Sequence, residues 1–161
     1  HHCKKKLIEF QQTVTHNDFC LINYQNVRGL NTKVTEFYLN MCSCDFDVIV
    51  LTETWLKEDV ASSEYFNSNY QIYRVNSTGR GRDIIIAVKS EYQSRNMQLL
   101  SPVLNVDLLG VKVMTASFTL CIIAVYITPT ADVDSYNELF GYIETRSNFL
   151  LLCSKNAYKE I

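Results

Sequence analysis

Two short segments each end an apolar run on a side chain that can do chemistry. The first, from Ile22, reaches Asn26 and continues as Val27-Arg28-Gly29-Leu30. The second, from Asp47, reaches Glu53 and continues as Thr54-Trp55-Leu56. An amide and a carboxylate brought together suit a hard divalent cation that prefers oxygen ligands, Mg2+ first and Mn2+ second. Asn26 and Glu53 are therefore the candidate metal ligands. The bland alternatives are a turn asparagine ahead of Gly29 and a solvated carboxylate at a strand end.

The elements between them bring the two together. Val48 to Leu51 is a continuous β-branched and aliphatic run, the pattern of a strand buried on both faces. Phe19 to Asn26 reads as another strand. Asn31 to Cys44 reads as a helix capped by Asn31 or Thr32, with Val34, Phe37, Tyr38 and Met41 on one face. Strand, helix and strand put Asn26 and Glu53 at neighbouring strand tips, where an α/β layer usually keeps its chemistry.

The same segments resemble the endonuclease/exonuclease/phosphatase superfamily. Asn26-Val27-Arg28-Gly29-Leu30 and Thr52-Glu53-Thr54-Trp55-Leu56 look most like the endonuclease domain of non-LTR retrotransposons. The resemblance implies an α/β sandwich of four layers, two packed β-sheets flanked by helices, with the second half incomplete. It implies a metal-dependent nuclease that hydrolyses DNA by activated water. Glu53 matches the glutamate that holds the metal, and Asn26 the first-motif asparagine. Tyr126, followed by Pro129, matches a tyrosine whose phenol donates a hydrogen bond to a phosphate oxygen. Asn156 matches the asparagine of a Gly-Asp-Phe-Asn motif.

Two departures bear on activity. Ser154 stands where that motif has its aspartate, and no histidine follows His16, although the family pairs a late histidine with an aspartate. General acid–base help contributes about 10²–10⁴-fold to rate. This copy is thus expected to be impaired, and the alternative is a non-catalytic remnant or a weak metal- or nucleic-acid-binding module. A phosphatase of the same superfamily fits the Thr-Glu-Thr-Trp-Leu wording less well.

Other residues bear on partners. Arg74, Arg80, Arg82, Lys89 and Arg95, offset by Asp83 and Glu91, leave a net +3 between positions 74 and 95. Arg74, Arg80 and Arg82 are candidates to contact a DNA backbone. Gly79 and Gly81 fit a glycine-rich loop, but Arg82 and Asp83 stand where more glycine is expected. Trp55 has the chemistry to stack on a base or sugar, yet a lone tryptophan two residues past a buried strand is more often a core plug.

Bulk properties set the frame. The 161 residues are 47% hydrophobic and 20% charged, with a net charge of −2. That is a globular composition, and it does not suit a protein that coats nucleic acid by bulk charge. Residues 1–17 read as a lead-in and 18–161 as one partial domain. No apolar run reaches the ~20 residues of a membrane span, and none suits a signal peptide. An intracellular setting, nucleus or cytoplasm, with DNA as partner and no membrane or dedicated protein partner, is the expectation. Cys20, Cys121 and Cys153 sit in apolar runs and read as buried thiols, while Cys42 and Cys44 lack zinc-site spacing.

Further strands are expected at Tyr70 to Val75, Ile84 to Lys89, Val103 to Leu109, Lys112 to Phe118, Thr119 to Ile127 and Phe149 to Leu152. A helix is expected from Asp132 to Thr145, capped by Asp132 or Asp134, with Leu139, Phe140 and Ile143 as its apolar face.

Overall fold

A computed structural model describes residues 20–57, 59–76, 83–101, 105–145 and 149–155. Strand β1 (Ile22–Asn26) leads through helix α1 (Val34–Ser43) to β2 (Val48–Thr52). After a 3-10 turn at Ser62–Glu64 come β3 (Tyr70–Val75) and β4 (Ile84–Lys89), closing a sheet of order β1-β2-β4-β3. The second sheet, of order β5-β6-β7-β8, holds β5 (Gln93–Asn96), β6 (Val106–Met114), β7 (Thr119–Ile127) and β8 (Phe149–Lys155). Helix α2 (Val133–Glu144) joins β7 to β8. Each sheet holds one parallel pair, β1 with β2 and β7 with β8, bridged by a helix.

Alternation along the strands builds four layers. Val48, Val50, Ile84 and Ile86 face Val111, Ile122 and other aliphatic side chains of the opposite sheet. Ile49, Leu51 and Ile85 point the other way, onto Phe37 of α1 and onto Phe46, Tyr65 and Phe66. Ile123, Val125 and Ile127 pack under Leu139 and Ile143 of α2. Strand β2 is buried along its whole length, as its unbroken apolar run predicts.

Two contacts set how the sheets lie on one another. The Tyr92 hydroxyl donates to Asp47 Oδ1 at 3.1 Å, tying the approach to β5 to the approach to β2. Tyr73 of β3 and Ser94 of β5 share a hydrogen bond of 2.8 Å. The C-terminal ends of β1, β2, β7 and β8 therefore lie at the same end of the sandwich.

Several expectations are corrected. Helix α1 starts at Val34, with Lys33 in the cap position and no side-chain cap bond. Asn31 and Thr32 turn back into the loop instead: Asn31 Oδ1 accepts from the Tyr65 hydroxyl, and the Thr32 hydroxyl donates to Gly29 O. Tyr38 lies half exposed rather than on the packed face, and Phe140 of α2 is also exposed. Asp132 caps α2, accepting from Ser135 N at 2.8 Å. The segments expected as two strands across Gly110 form the single strand β6, and polar β5 is added. Gly110 does not break β6. It makes room, because a Cβ there would lie 2.5 Å from Leu99 Cδ1. Cys153 is exposed on β8, and Cys20, Cys44 and Cys121 are partly covered. Strand β1 starts at Ile22, and Phe19 lies outside the described residues. No described helix is long and apolar enough to cross a membrane.

Candidate functional site

The loops that leave β1 and β2 stay side by side after the strands end. Val27 N donates to Thr52 O, Gly29 N to Glu53 O and Leu30 N to Thr54 O, at 2.8 to 3.0 Å. Holding this lacing while turning takes unusual backbone. Arg28, Glu53 and Trp55 have φ of 45°, 57° and 56°, and Gly29 has 91°. For residues with a Cβ such conformations cost about 1–3 kcal/mol each, and they concentrate at functional sites.

Asn26 and Glu53 meet here. Asn26 Nδ2 donates to Glu53 Oε1 at 2.7 Å, from a residue 27 positions earlier in the chain. Glu53 is only 2% exposed. A carboxylate this covered loses hydration, and a neutral amide restores only part of it. The Thr52 and Thr54 hydroxyls on either side are buried and bond to no described group. A covered carboxylate, an amide and two hydroxyls are oxygen-rich and suit a hard cation. Among the described residues, no group of three or more His, Cys, Asp and Glu side chains is arranged so that it could hold a metal ion. Any cation would therefore draw most of its ligands from water or substrate oxygens, which is how Mg2+ commonly binds.

Tyr126 lies near the C-terminal end of β7, buried between the sheets, and so at the same end as Asn26 and Glu53. In register it stands between Asp107 of β6 and Ser154 of β8. Asp107 was not singled out in the sequence. It falls at the start of a strand that was misread, and the strand's alternation is the signal that would have put it on the inner face.

The arginines fare differently. Arg74 donates through Nη1 to Val60 O at 3.0 Å and through Nη2 to Leu56 O at 2.9 Å and Lys57 O at 2.7 Å. Its guanidinium thus holds the loop after β2, and the expected phosphate contact would compete with three carbonyls. Lys89 is committed at the other end of the sandwich, 2.8 Å from Asp45, 3.2 Å from Asp47 and 3.9 Å from Glu91. Burial alone would lower its pKa, but the hydrogen bonds it donates to Asp45 and Asp47 raise it. Arg80, Arg82 and Asn156 lie outside the described residues.

Trp55 is not a core plug. It is 51% exposed, while its neighbours Thr54 and Leu56 are buried. Its six-membered ring covers Gly29 so closely that a Cβ on Gly29 would lie 2.7 Å from Cε3. The left-handed backbone at Glu53 and Trp55 breaks strand alternation and turns the indole outward, and nothing in the residue types announces it.

No protein-family model and no curated protein matches the sequence. Solved structures do match the fold. The endonuclease domain of TRAS1, a telomere-specific non-LTR retrotransposon, superimposes with a TM-score of 0.64 at 14% identity, covering 86% of this chain and 59% of that one. The 3'-5' exonuclease NExo of Neisseria meningitidis gives 0.57 at 17% identity, covering 84% and 57%. TDP2 of D. rerio, complexed with a single-strand DNA product, gives 0.56 at 16% identity, covering 82% and 58%. The chain thus has an endonuclease/exonuclease/phosphatase-like sandwich fold and spans a little under three fifths of the length of these three structures.

Proposed function

We propose that this chain is a phosphodiester-hydrolysing domain of the retrotransposon endonuclease type, acting on DNA, in a copy impaired by Ser154 standing where the resemblance calls for an aspartate. The observation that carries the reading is the 2.7 Å bond between Asn26 and the covered carboxylate of Glu53 at adjoining strand tips. The motif wording and the fold of the TRAS1 endonuclease domain and of TDP2 support it.

Glu53 and Asn26 would hold Mg2+, or Mn2+ in its place, which when bound neutralises phosphate charge and acidifies bound water. Asn26 restrains the rotamer of Glu53 by donating to its Oε1. Tyr126 would donate a hydrogen bond from its phenol to a phosphate oxygen as charge builds there. Asn156 and the cations Arg80 and Arg82 complete the set proposed for the substrate backbone.

The reading of a non-catalytic remnant is favoured by one position. Ser154 stands in register with Tyr126, where the resemblance calls for an aspartate. A hydroxyl there supplies no base at neutral pH. Titration calorimetry with Mg2+ and Mn2+, on the chain and on Glu53→Gln, tests the metal assignment: weak binding to the first and none to the second is expected. Equal binding by both would refute the role of Glu53. Plasmid nicking that vanishes in Glu53→Gln would refute the remnant reading.

A further inference from the structure

The one tryptophan of the chain is held in place from three sides yet is half exposed. Upstream, Thr54 O accepts from Leu30 N at 2.8 Å. Downstream, Arg74 grips the carbonyls of Leu56 and Lys57. Underneath, the indole rests on Gly29. A half-exposed aromatic is commonly mobile, so its ordering entropy must be met on binding. Here the order is already built in. Two residues from Trp55 on either side lie Glu53, the candidate metal ligand, and Lys57. Arg28, next to the glycine that the indole covers, is exposed, as is Lys57.

An exposed indole with two exposed cations on the adjoining backbone is the combination that binds single-stranded nucleic acid, the base stacking and the phosphates pairing with the cations. A base inside a duplex has both faces covered by its neighbours and offers nothing to a lone indole. We infer that Trp55 is a stacking platform for an unpaired nucleobase, with Arg28 and Lys57 on the adjoining phosphates, so that the site takes strands with an unpaired or extruded nucleotide beside the target phosphate. The inference rests on the phosphodiester reading of the site, and it adds the state of the strand that the site accepts.

Because Trp55 is the only tryptophan, its emission reports on this position alone. The full chain, without metal, is titrated with an end-labelled single-stranded oligodeoxynucleotide, with the same strand made abasic, and with the blunt duplex. Anisotropy of the label reports binding, and indole emission reports stacking. The base-bearing strand is expected to bind and quench Trp55. The abasic strand and the duplex are expected to bind more weakly, without quenching. Trp55→Leu, which keeps an apolar cover on Gly29, is expected to weaken binding of the base-bearing strand by roughly 5- to 150-fold and to leave the abasic strand unchanged. Trp55→Phe is expected to recover much of the loss, and it keeps the comparison open if the leucine variant misfolds.

Binding without quenching, with equal affinity in Trp55→Leu, would overturn the platform and leave the hydrolase reading standing. Absence of binding to every strand would overturn the platform too. Neither readout needs metal or cleavage, so a failure of Glu53 to bind Mg2+ is recorded separately by calorimetry.

Discussion

Tyr92 and Asp47 join the two sheets at the end of the sandwich away from Glu53, through a hydroxyl-to-carboxylate bond of 3.1 Å. The same carboxylate accepts from Leu21 N at 2.7 Å and faces Lys89 at 3.2 Å. One aspartate thus fixes the start of β2, the end of β4 and the approach to β5.

Stability should fall with alkalinity through this cluster. Burial, then the charge of Asp47, pushes the Cys20 thiol from 9.0 up to about 12, and the Tyr92 phenol from 10.0 up to about 12. Lys89 is raised as well. In each case the folded state keeps its proton at a pH where the unfolded chain releases it. Their stabilising share is therefore whole below pH 9 and is lost as pH climbs from there towards 12. Thermal melts from pH 7 to pH 11 should show Tm falling from about pH 9, and Tyr92→Phe should flatten the part above pH 10. A Tm unchanged up to pH 11 would contradict this.

Gly29→Ala should destabilise the chain by about 1–3 kcal/mol, through its φ of 91° and the clash with Trp55. In a Trp55→Ala background the cost should shrink to the backbone part. Urea titrations of the four chains measure the coupling, and a cost independent of Trp55 would show that the indole is not seated on Gly29.

Arg74→Met should loosen the backbone at Leu56, Lys57 and Val60 without harming the sheets. It removes three donated hydrogen bonds to carbonyls, of a kind worth about 1.5–3 kcal/mol when charged. Hydrogen exchange should speed up in that loop and leave β2 and β4 protected. Uniform acceleration across both sheets would show a global role instead.

Ser154→Asp alone should not restore nicking of plasmid DNA with Mg2+, because no histidine follows His16 in the chain. Recovery of robust, Glu53-dependent nicking in that variant would show that the acid–base partner is supplied elsewhere.

Strand β8 should mediate self-association. Among the described residues it forms one edge of its sheet, with Phe149, Leu150 and Leu151 only partly covered. An apolar edge strand pairs readily with another chain. Size-exclusion chromatography should show oligomers that Leu151→Lys reduces. A compact monomer with strong amide protection through β8 would show that the edge is already satisfied.

The parts legible from sequence are those where burial is complete. Val48 to Leu51 and Ile84 to Val88 are unbroken apolar runs because both faces of each strand are covered, so their ends, and with them Glu53, could be placed. Strand β5, Gln93-Ser94-Arg95-Asn96, carries no such run. It is a strand because of β6 beside it and the Tyr73–Ser94 bond across the sandwich. The unbroken course of β6 through Gly110 is not legible, because the purpose of that glycine, admitting Leu99, is tertiary. The start of α1 was misplaced because Asn31 is drawn off by Tyr65, thirty-four residues away. The meeting of Asn26 with Glu53 is legible from the strand, helix and strand that carry them, whereas the outward turn of Trp55 depends on backbone torsions that no residue type encodes.

The three main-chain bonds that lace the loops after β1 and β2 involve no side chain. Substitutions at Asn26 or Glu53 could erase the chemistry and leave this scaffold standing. The outline of the site is thus decoupled from its competence, and a lineage released from selection on cleavage would lose function well before it lost shape. Such decay would be invisible to any comparison of folds and would be written only in the side chains.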